Sequence, residues 1–380
     1  MPDQPIPLSI LDLSPIVSGA TPAQALRNTL DLARQAEEAG YLRYWVAEHH
    51  LTEGVASSSP AVLIGAIASV TGAIRVGSGA VQMGHQTPLA VVEAFGTLSG
   101  LYPGRIDLGL GRSMQRRSEA AKTLEKQASR PPVPPAESRV VNGLLIPPPY
   151  SAAALLKSPR YAQQAALLQQ PGAQSPDFAG QVEDIRAFLA GTWRSEPGIS
   201  LAAIPGAGAD AEIWILGSSA GQSSQVAGSL GLPFAASYHI TPATVLEATD
   251  AYRAAFKPGV LDRPHVMVSA DVVVAPTDAQ ASELAAGYGP WVRSIRTGSG
   301  AMPFPSPQEA RAFPWTEEDR ALVEDRVATQ FVGSPATVAK SLRILQEATG
   351  ADELLVTTIT HEHADRVRSA QLLAREWGLA

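Results

Sequence analysis

The sequence predicts an α/β chain folded as a single (β/α)8 barrel, and three observations predict it. Strand-like runs start near Leu8, Arg43, Ile74 and Arg105, roughly 31 to 35 residues apart, which is the span of one strand, one helix and two loops. Between these runs apolar residues recur at helical spacing. Six of the seven histidines fall just after strand-like segments, and in a repeated β/α architecture the carboxyl ends of the strands converge on the mouth where chemistry is done.

Taken in order, the first run is Leu8-Ser9-Ile10-Leu11-Asp12-Leu13. Its helix carries Leu26, Leu30, Ala33, Ala36 and Ala39 on one face, and the next helix carries Val62, Leu63, Ala66, Ile67 and Val70. Helix starts are marked by a hydroxyl residue followed by proline at Thr21-Pro22, Ser59-Pro60, Thr87-Pro88, Thr241-Pro242 and Ser334-Pro335, with Gln24 placed to complete a capping box with Thr21. Helix ends fall at Gly40, Gly72 and Gly231. The second half resumes with strands at 212–216, 234–237, 266–274 and 353–359, making eight. Their nearly continuous apolar character suits parallel strands between a helix layer and a barrel core. An open doubly wound sheet is the competing architecture, but no Gly-x-Gly-x-x-Gly turn follows the first strand or any other.

Two stretches break the rhythm. Residues 113–175 hold a basic patch (Arg116, Arg117, Lys122, Lys126, Arg130), then Pro131-Pro132, Pro134-Pro135 and Pro147-Pro148-Pro149, which no packed helix tolerates. This is an insertion after the fourth strand within one domain of residues 1–380. A second stretch rich in Gly and Pro, 287–316, follows the helix after the seventh strand. Each reads either as a lid or as a solvated surface excursion.

Composition narrows the function. A net charge of −7 and a pI near 5.6, with no long basic stripe, argue against a nucleic-acid partner. Cysteine is absent, which removes disulfides, thiolate metal sites and cysteine nucleophiles. The start Met1-Pro2-Asp3-Gln4-Pro5 lacks the features of a signal peptide, and no run approaches the length of a membrane span, so a cytoplasmic location without membrane partners is expected.

The candidate chemistry centres on Glu48-His49-His50. Adjacent residues of an extended strand point to opposite sides, so one histidine of the pair is expected to face the mouth unless the strand has ended. An imidazole beside a carboxylate can give or take a proton near neutral pH. Metal binding by Glu48-His49-His50 with His361-Glu362-His363 is not expected, because the first strand ends without a His-x-His and the last pair opens a helix. Anion binding has two supports: Gly109-Leu110-Gly111-Arg112-Ser113 and Gly217-Ser218-Ser219-Ala220-Gly221, the latter leading into a helix. Small residues admit backbone N–H groups to a phosphate, and Arg112 adds a countercharge. The run Gly77-Ser78-Gly79-Ala80-Val81 either gives a flat ring system close access to backbone or reflects close strand packing.

Together these segments resemble the bacterial luciferase-like flavin monooxygenases. The resemblance is carried by Ala47-Glu48-His49-His50 with Thr52-Glu53-Gly54, by Val76-Gly77-Ser78-Gly79-Ala80, by the run from Leu101-Tyr102-Pro103-Gly104-Arg105 to Gly109-Leu110-Gly111-Arg112, and by Gly217-Ser218-Ser219. Val332-Gly333-Ser334-Pro335 and Asp352-Glu353-Leu354 extend it, so that it covers nearly the whole chain outside 113–175. It implies a TIM barrel, often dimeric, that holds FMN at the strand carboxyl ends. His49 matches the family's catalytic histidine, with Glu48 helping to orient it. Gly79 and Ala80 match a non-proline cis peptide against the flavin ring. Ser78 and Gly109 lie in the matching cofactor segments, Arg112 matches an arginine near the cofactor phosphate, and Ser218, Ser219 and Ala220 match the phosphate loop. Where luciferase carries a reactive cysteine, this chain has Gly111.

What the resemblance implies for function is a monooxygenase using reduced FMN and O2, by way of a flavin C4a-hydroperoxide, to oxygenate a small organic substrate such as an aldehyde, an aromatic or a secondary-metabolite intermediate. A separate flavin reductase and a homodimer go with that reading. The alternatives are a deazaflavin (F420)-dependent hydride-transfer oxidoreductase and a non-enzymatic flavin-binding protein.

Overall fold

The computed structural model describes residues 5–112, 137–156, 158–174 and 176–379. Its strands are β1 (Leu8–Asp12), β2 (Arg43–Val46), β3 (Arg75–Ser78), the short β4 (Val81–Gln82), β5 (Ile106–Gly111), β6 (Arg139–Val141), β7 (Leu144–Ile146), β8 (Glu212–Gly217), β9 (Phe234–Ser237), β10 (Val266–Val274), β11 (Phe331–Gly333) and β12 (Glu353–Thr357). Parallel pairing runs β10-β12-β1-β2-β3-β5-β8-β9, and β9 pairs again with β10, so eight strands close into a barrel. β4 prolongs the edge of β5, β11 pairs with the far end of β10, and β6 and β7 form a separate antiparallel hairpin.

Alternation along the strands divides the core in two. Outward residues such as Leu8, Ile10, Val46, Val76, Ile106 and Leu108 pack under the surrounding helices. Inward residues, among them Leu11, Trp45, Trp214, Met267 and Leu355, fill the barrel itself. Trp45 and Trp214 meet edge to face with centroids 5.2 Å apart, and Gly77 of β3 leaves room for Trp45, whose Nε1 a Cβ there would approach to 2.8 Å. A Cβ at Gly77 would lie 2.5 Å from the Asp107 Cβ, and one at Gly109 would lie 2.0 Å from the Ser78 carbonyl oxygen. Close strand packing, the competing reading of the run from Gly77 to Val81, therefore accounts for Gly77, and the same packing accounts for Gly109 on β5.

The helix signals are met unevenly. Thr21 accepts from the Gln24 backbone N–H at 3.2 Å, but the Gln24 side chain donates to Asn28 at 2.9 Å, so the capping box does not form. Thr87 caps its helix by accepting from the Ala90 N–H. Ser59, Thr241 and Ser334 make no such bond. Gly40 and Gly231 take left-handed φ values of 83° and 60°, as helix ends require. Gly72 does not: its helix leaves through an extended Thr71, and the Gly72 N–H donates to the Glu37 carboxylate.

The described parts of both rhythm-breaking stretches pack on the mouth side of the barrel. The basic patch from Arg116 to Arg130 and the prolines 131–135 lie outside the described residues. From residue 137 onward the stretch forms the β6–β7 hairpin and the helices Ala153–Leu156 and Pro159–Leu168. Leu144 and Ile146 are 2% and 3% exposed and join the main core, so this part is no solvated excursion. Residues 287–316 begin with the buried helix Tyr288–Arg296, whose Trp291 and Val292 extend the barrel interior upward. The two stretches meet where the Arg296 guanidinium lies 4.0 Å over the Tyr150 ring. Among the described residues no helix is long and apolar enough to cross a membrane.

Candidate active site

The strand pairing of β2 ends at Val46, and residues 47–50 run on without it, Leu51 then taking a left-handed φ of 56°. Released from strand alternation, Glu48, His49 and His50 all line one cavity of about 470 Å³ at the carboxyl ends of the strands. The expectation that only one histidine of the pair faces the mouth is corrected on this ground. The His49 backbone N–H donates to the Ser57 carbonyl at 2.8 Å, while its Nδ1 is buried without a partner among the described residues. Burial first, then the neighbouring His50, push the His49 imidazole down to about 4 against the opposing pull of Glu48.

Glu48 does not orient His49. Its Oε1 accepts from Nε2 of His50 at 2.8 Å and of His85 at 2.9 Å, and its Oε2 accepts from the Gln82 backbone N–H at 2.8 Å. Burial alone would raise this carboxyl, yet the bonds from His50, His85 and Gln82 outweigh it and hold the group at about 2. His85 is a site residue that the sequence offered only as one more histidine after a strand.

Glu48, His50 and His85 each bring one potential ligand atom within 4.8 Å of the others, the geometry of a candidate metal centre. A ligating imidazole ordinarily donates its second N–H to an acceptor. The Nδ1 of His85 is buried without one among the described residues, so the arrangement fits a hydrogen-bonded clamp on Glu48 better. His361 and His363 do not join it: His361 bonds Glu362 and His363 bonds Asp31, each at 2.9 Å, and neither lines the cavity.

The cavity wall then passes Gly79, Ala80 and Gly111 to Arg112, Ser218 and Ser219. The Gly79–Ala80 peptide bond is cis. Arg112 is buried, and its Nη1 donates to Gln222 Oε1 at 3.1 Å. A Cβ placed on Gly221 would lie 3.2 Å from both Arg112 Nη2 and Ser219 Oγ, so guanidinium and hydroxyl converge on the backbone that opens the helix Gln222–Ser229. Asp177 shares this corner, accepting from Gln222 Nε2 at 2.6 Å. The other proposed cofactor residues sit apart: Ser78 and Gly109 are bonded to each other behind the wall at 3.0 Å, and Ala220 is exposed outside the lining.

On the far side, residues that sequence reasoning did not single out complete the wall: His239 after β9, Ser269 and Asp271 of β10, and Arg326. Tyr288 donates to Asp271, and Arg326 donates to Tyr288 at 2.7 Å and to Asp271 at 3.3 Å. The excursions roof the space. Leu155, Tyr161, Gln164 and Leu168 enter from one, Trp291, Ile295 and Ala301 from the other. The first is fastened by Arg160 and Gln164, which donate to the Leu51 carbonyl at 3.1 and 3.0 Å. The second is fastened where the Gly54 N–H meets the Ala301 carbonyl at 2.7 Å, a contact that leaves no room for a side chain at Gly54.

Comparison with known proteins places the chain in a family. A family profile described as "Luciferase-like monooxygenase" matches residues 7–131 and 174–353. The chain is 38% identical over 373 residues to the uncharacterized protein YvbT of Bacillus subtilis, covering 97% of this chain and 96% of that protein. It is 32% identical to a luciferase-like monooxygenase of Escherichia coli K12, covering 98% and 97%. The crystal structure of apo-MsnO8 superposes with a TM-score of 0.77 at 33% identity, covering 99% of both chains. At the level of fold alone, the chain is like the oxygenating constituent of 3,6-diketocamphane monooxygenase in complex with FMN, with a TM-score of 0.61 and 20% identity. It is also like an F420-dependent secondary alcohol dehydrogenase, with a TM-score of 0.60 and 12% identity.

Proposed function

Because the chain belongs to the luciferase-like monooxygenase family, and is therefore an oxygen-incorporating oxidoreductase, we propose that it works with reduced FMN and O2 on a small organic substrate. The observation that carries the cofactor reading is the layout of one cavity. The Arg112–Ser219 corner closes one end, the small residues Gly79, Ala80 and Gly111 form the wall beside it, and His49 stands further along. The corner fits a phosphate chemically, with a guanidinium, a hydroxyl and a helix amino terminus around one backbone position. In this reading Arg112, Ser218 and Ser219 hold the phosphate, and the glycine-lined wall admits a flat ring. Bound reduced flavin supplies the electrons by which O2 gives one atom to the substrate and the other to water.

The protein's own part is to place and protect. His49, kept neutral by burial, holds or moves a proton at Nε2, the ring nitrogen not sealed into the wall. Glu48 is fixed as a carboxylate and holds the rings of His50 and His85 in place beside it. The two roof segments keep bulk water from the space. A separate reductase delivers reduced flavin, a partner read from the missing Gly-x-Gly-x-x-Gly fingerprint, and the barrel works as a homodimer, which this reading takes from the family alone.

The test is rapid mixing of oxygen with protein reduced in the presence of FMN, followed by absorbance and by substrate oxygenation. The reading requires FMN binding and a transient distinct from both reduced and oxidised flavin. Binding of a deazaflavin but not of FMN would transfer the protein to hydride transfer. Flavin re-oxidation with no substrate consumed would leave only a flavin-binding protein.

A further inference from the structure

His239 follows β9, four strands round the barrel from β2, and so faces the cavity from the side opposite His49. Its backbone N–H donates to the Ser269 carbonyl at 3.2 Å, and its Nδ1 lies 2.6 Å from Ser269 Oγ. The Ser269 hydroxyl has one proton, and the Ala236 carbonyl, 3.3 Å away, is an acceptor for it. With the proton there, the hydroxyl oxygen accepts from His239, and the ring then carries its hydrogen on Nδ1 and a lone pair on Nε2, the tautomer on which the inference below is built and which its first measurement tests. Ser237 Oγ, also near Nδ1 at 3.4 Å, already accepts from the Ile240 N–H at 3.3 Å.

The groups around the ring keep it neutral. Burial first, then the Arg326 guanidinium and His49, push the His239 imidazole down to about 3, so it stays neutral across the physiological range. Arg326, Asp271 and Tyr288 donate and accept among themselves, and Nε2 of His239 has no hydrogen bond to a described residue. Much of the remaining wall is apolar, including Leu11, Leu13, Val55, Leu355 and Ile359. A fixed acceptor in apolar surroundings discriminates strongly, because a ligand without a donor leaves it unpaired.

We propose that His239 is a substrate-recognition residue whose Nε2 accepts a hydrogen bond from an N–H or O–H group of the substrate, so that the enzyme favours apolar molecules carrying such a donor. The word substrate rests on the oxygenase reading above; the tautomer and the preference for donors do not. Two measurements test the inference. In protein labelled with nitrogen-15 histidine, the His239 signals are identified by their loss in His239→Phe. They are expected to show a protonated Nδ1 and a bare Nε2, unchanged between about pH 8 and about pH 5. Binding of N-butylacetamide is then compared with that of its N-methylated tertiary amide, which lacks the donor. The wild-type protein should prefer the secondary amide by roughly fivefold or more, His239→Gln should keep part of the preference and His239→Phe should lose it. A protonated Nε2, a ring that titrates above about pH 5, or an equal response to the two amides, including none to either, overturns the proposal. All these readings are made without oxygen or turnover, so their failure is separable from failure of the flavin chemistry.

Discussion

At the amino-terminal end of the barrel, Arg43 donates to Asp107 at 2.9 Å and to Glu212 and Glu353 at 3.3 Å, Arg75 donates to Asp107, Ser9 donates to Glu353, and Trp45 Nε1 donates to Asp107 at 2.9 Å. At the carboxyl-terminal end, equally polar residues line a cavity, and His239 Nε2 has no hydrogen-bond partner among the described residues. The two ends share one set of strands, for β2 supplies Arg43 to the plug and leads into His49, while β12 supplies Glu353 to the plug and Thr357 to the cavity. What separates them is how their charged groups are paired. Charges that answer one another close the floor, where a missing partner would leave a buried ion uncompensated. Polar groups left without an answer form the mouth, and such groups are where an incoming molecule can gain binding free energy.

The contrast breaks first at His49. His49→Ala should lower turnover by about 10² to 10⁴, the range for removing a positioned acid or base, while FMN affinity stays within a few-fold and the unfolding midpoint barely moves. An unimpaired variant under reduced-flavin turnover would remove His49 from the chemistry. His50→Ala is not a neutral control, because it takes one of the donors from Glu48. A larger catalytic loss there would shift the key role to the clamp.

The floor should respond in the opposite way. Arg43→Ala leaves Asp107 and Glu353 facing each other in the barrel without their shared guanidinium, and breaking a buried pair in this manner costs about 3 to 5 kcal/mol. Urea unfolding should show that loss, whereas the fraction that remains folded should bind FMN normally. A stable Arg43→Ala protein with weak FMN binding would mean that floor and mouth are coupled and the division is wrong.

Acid should find the mouth before the floor. His49 and His239 have folded pKa values of about 4 and about 3, below the unfolded value near 6.5. As pH falls through 6.5 the unfolded chain takes up protons that the folded one refuses, so stability drops. At pH 5 each ring should have cost roughly 2 kcal/mol relative to pH 8. Glu48 adds a loss at lower pH, its contribution being complete above about 4.5 and vanishing as pH falls toward about 2. Unfolding free energies at pH 8, 6.5 and 5 check this, and His239→Phe should flatten the slope. An unchanged slope would show that His239 is solvated and charges freely.

The sequence already held most of the frame. Strand positions are legible because parallel strands between two apolar layers must be apolar themselves, and Leu8, Arg43, Phe234 and Val266 begin strands where the pattern put them. His49 and the Arg112 and Ser219 segments are legible because their motifs are local. The partners of Glu48 are not, since His85 lies on another loop 37 positions away and meets it only when β2 and β3 pair. His239, Asp271 and Arg326 stayed hidden for the same reason, their bonds running between segments 17 to 55 residues apart. The failed stop at Gly72 has a similar cause: the Glu37 carboxylate from the preceding helix takes the N–H groups of residues 72–74, so no left-handed turn is needed.

The smallest expected effect separates the ends of the cavity itself. If the Arg112–Ser219 corner holds the phosphate, Arg112→Ala should weaken FMN binding by about tenfold or more, since a charge-assisted hydrogen bond contributes roughly 1.5 to 3 kcal/mol. Riboflavin, which has the ring but no phosphate, should bind the variant nearly as well as the wild type. Arg112 also donates to Gln222, so some loss common to both ligands can arise from a shifted helix start. Gln222→Ala measures that part: it removes the Gln222 bonds to Arg112 and Asp177 but keeps the guanidinium. Equal losses for FMN and riboflavin in Arg112→Ala, matched by Gln222→Ala, would reduce Arg112 to a brace and move the phosphate to another part of the wall.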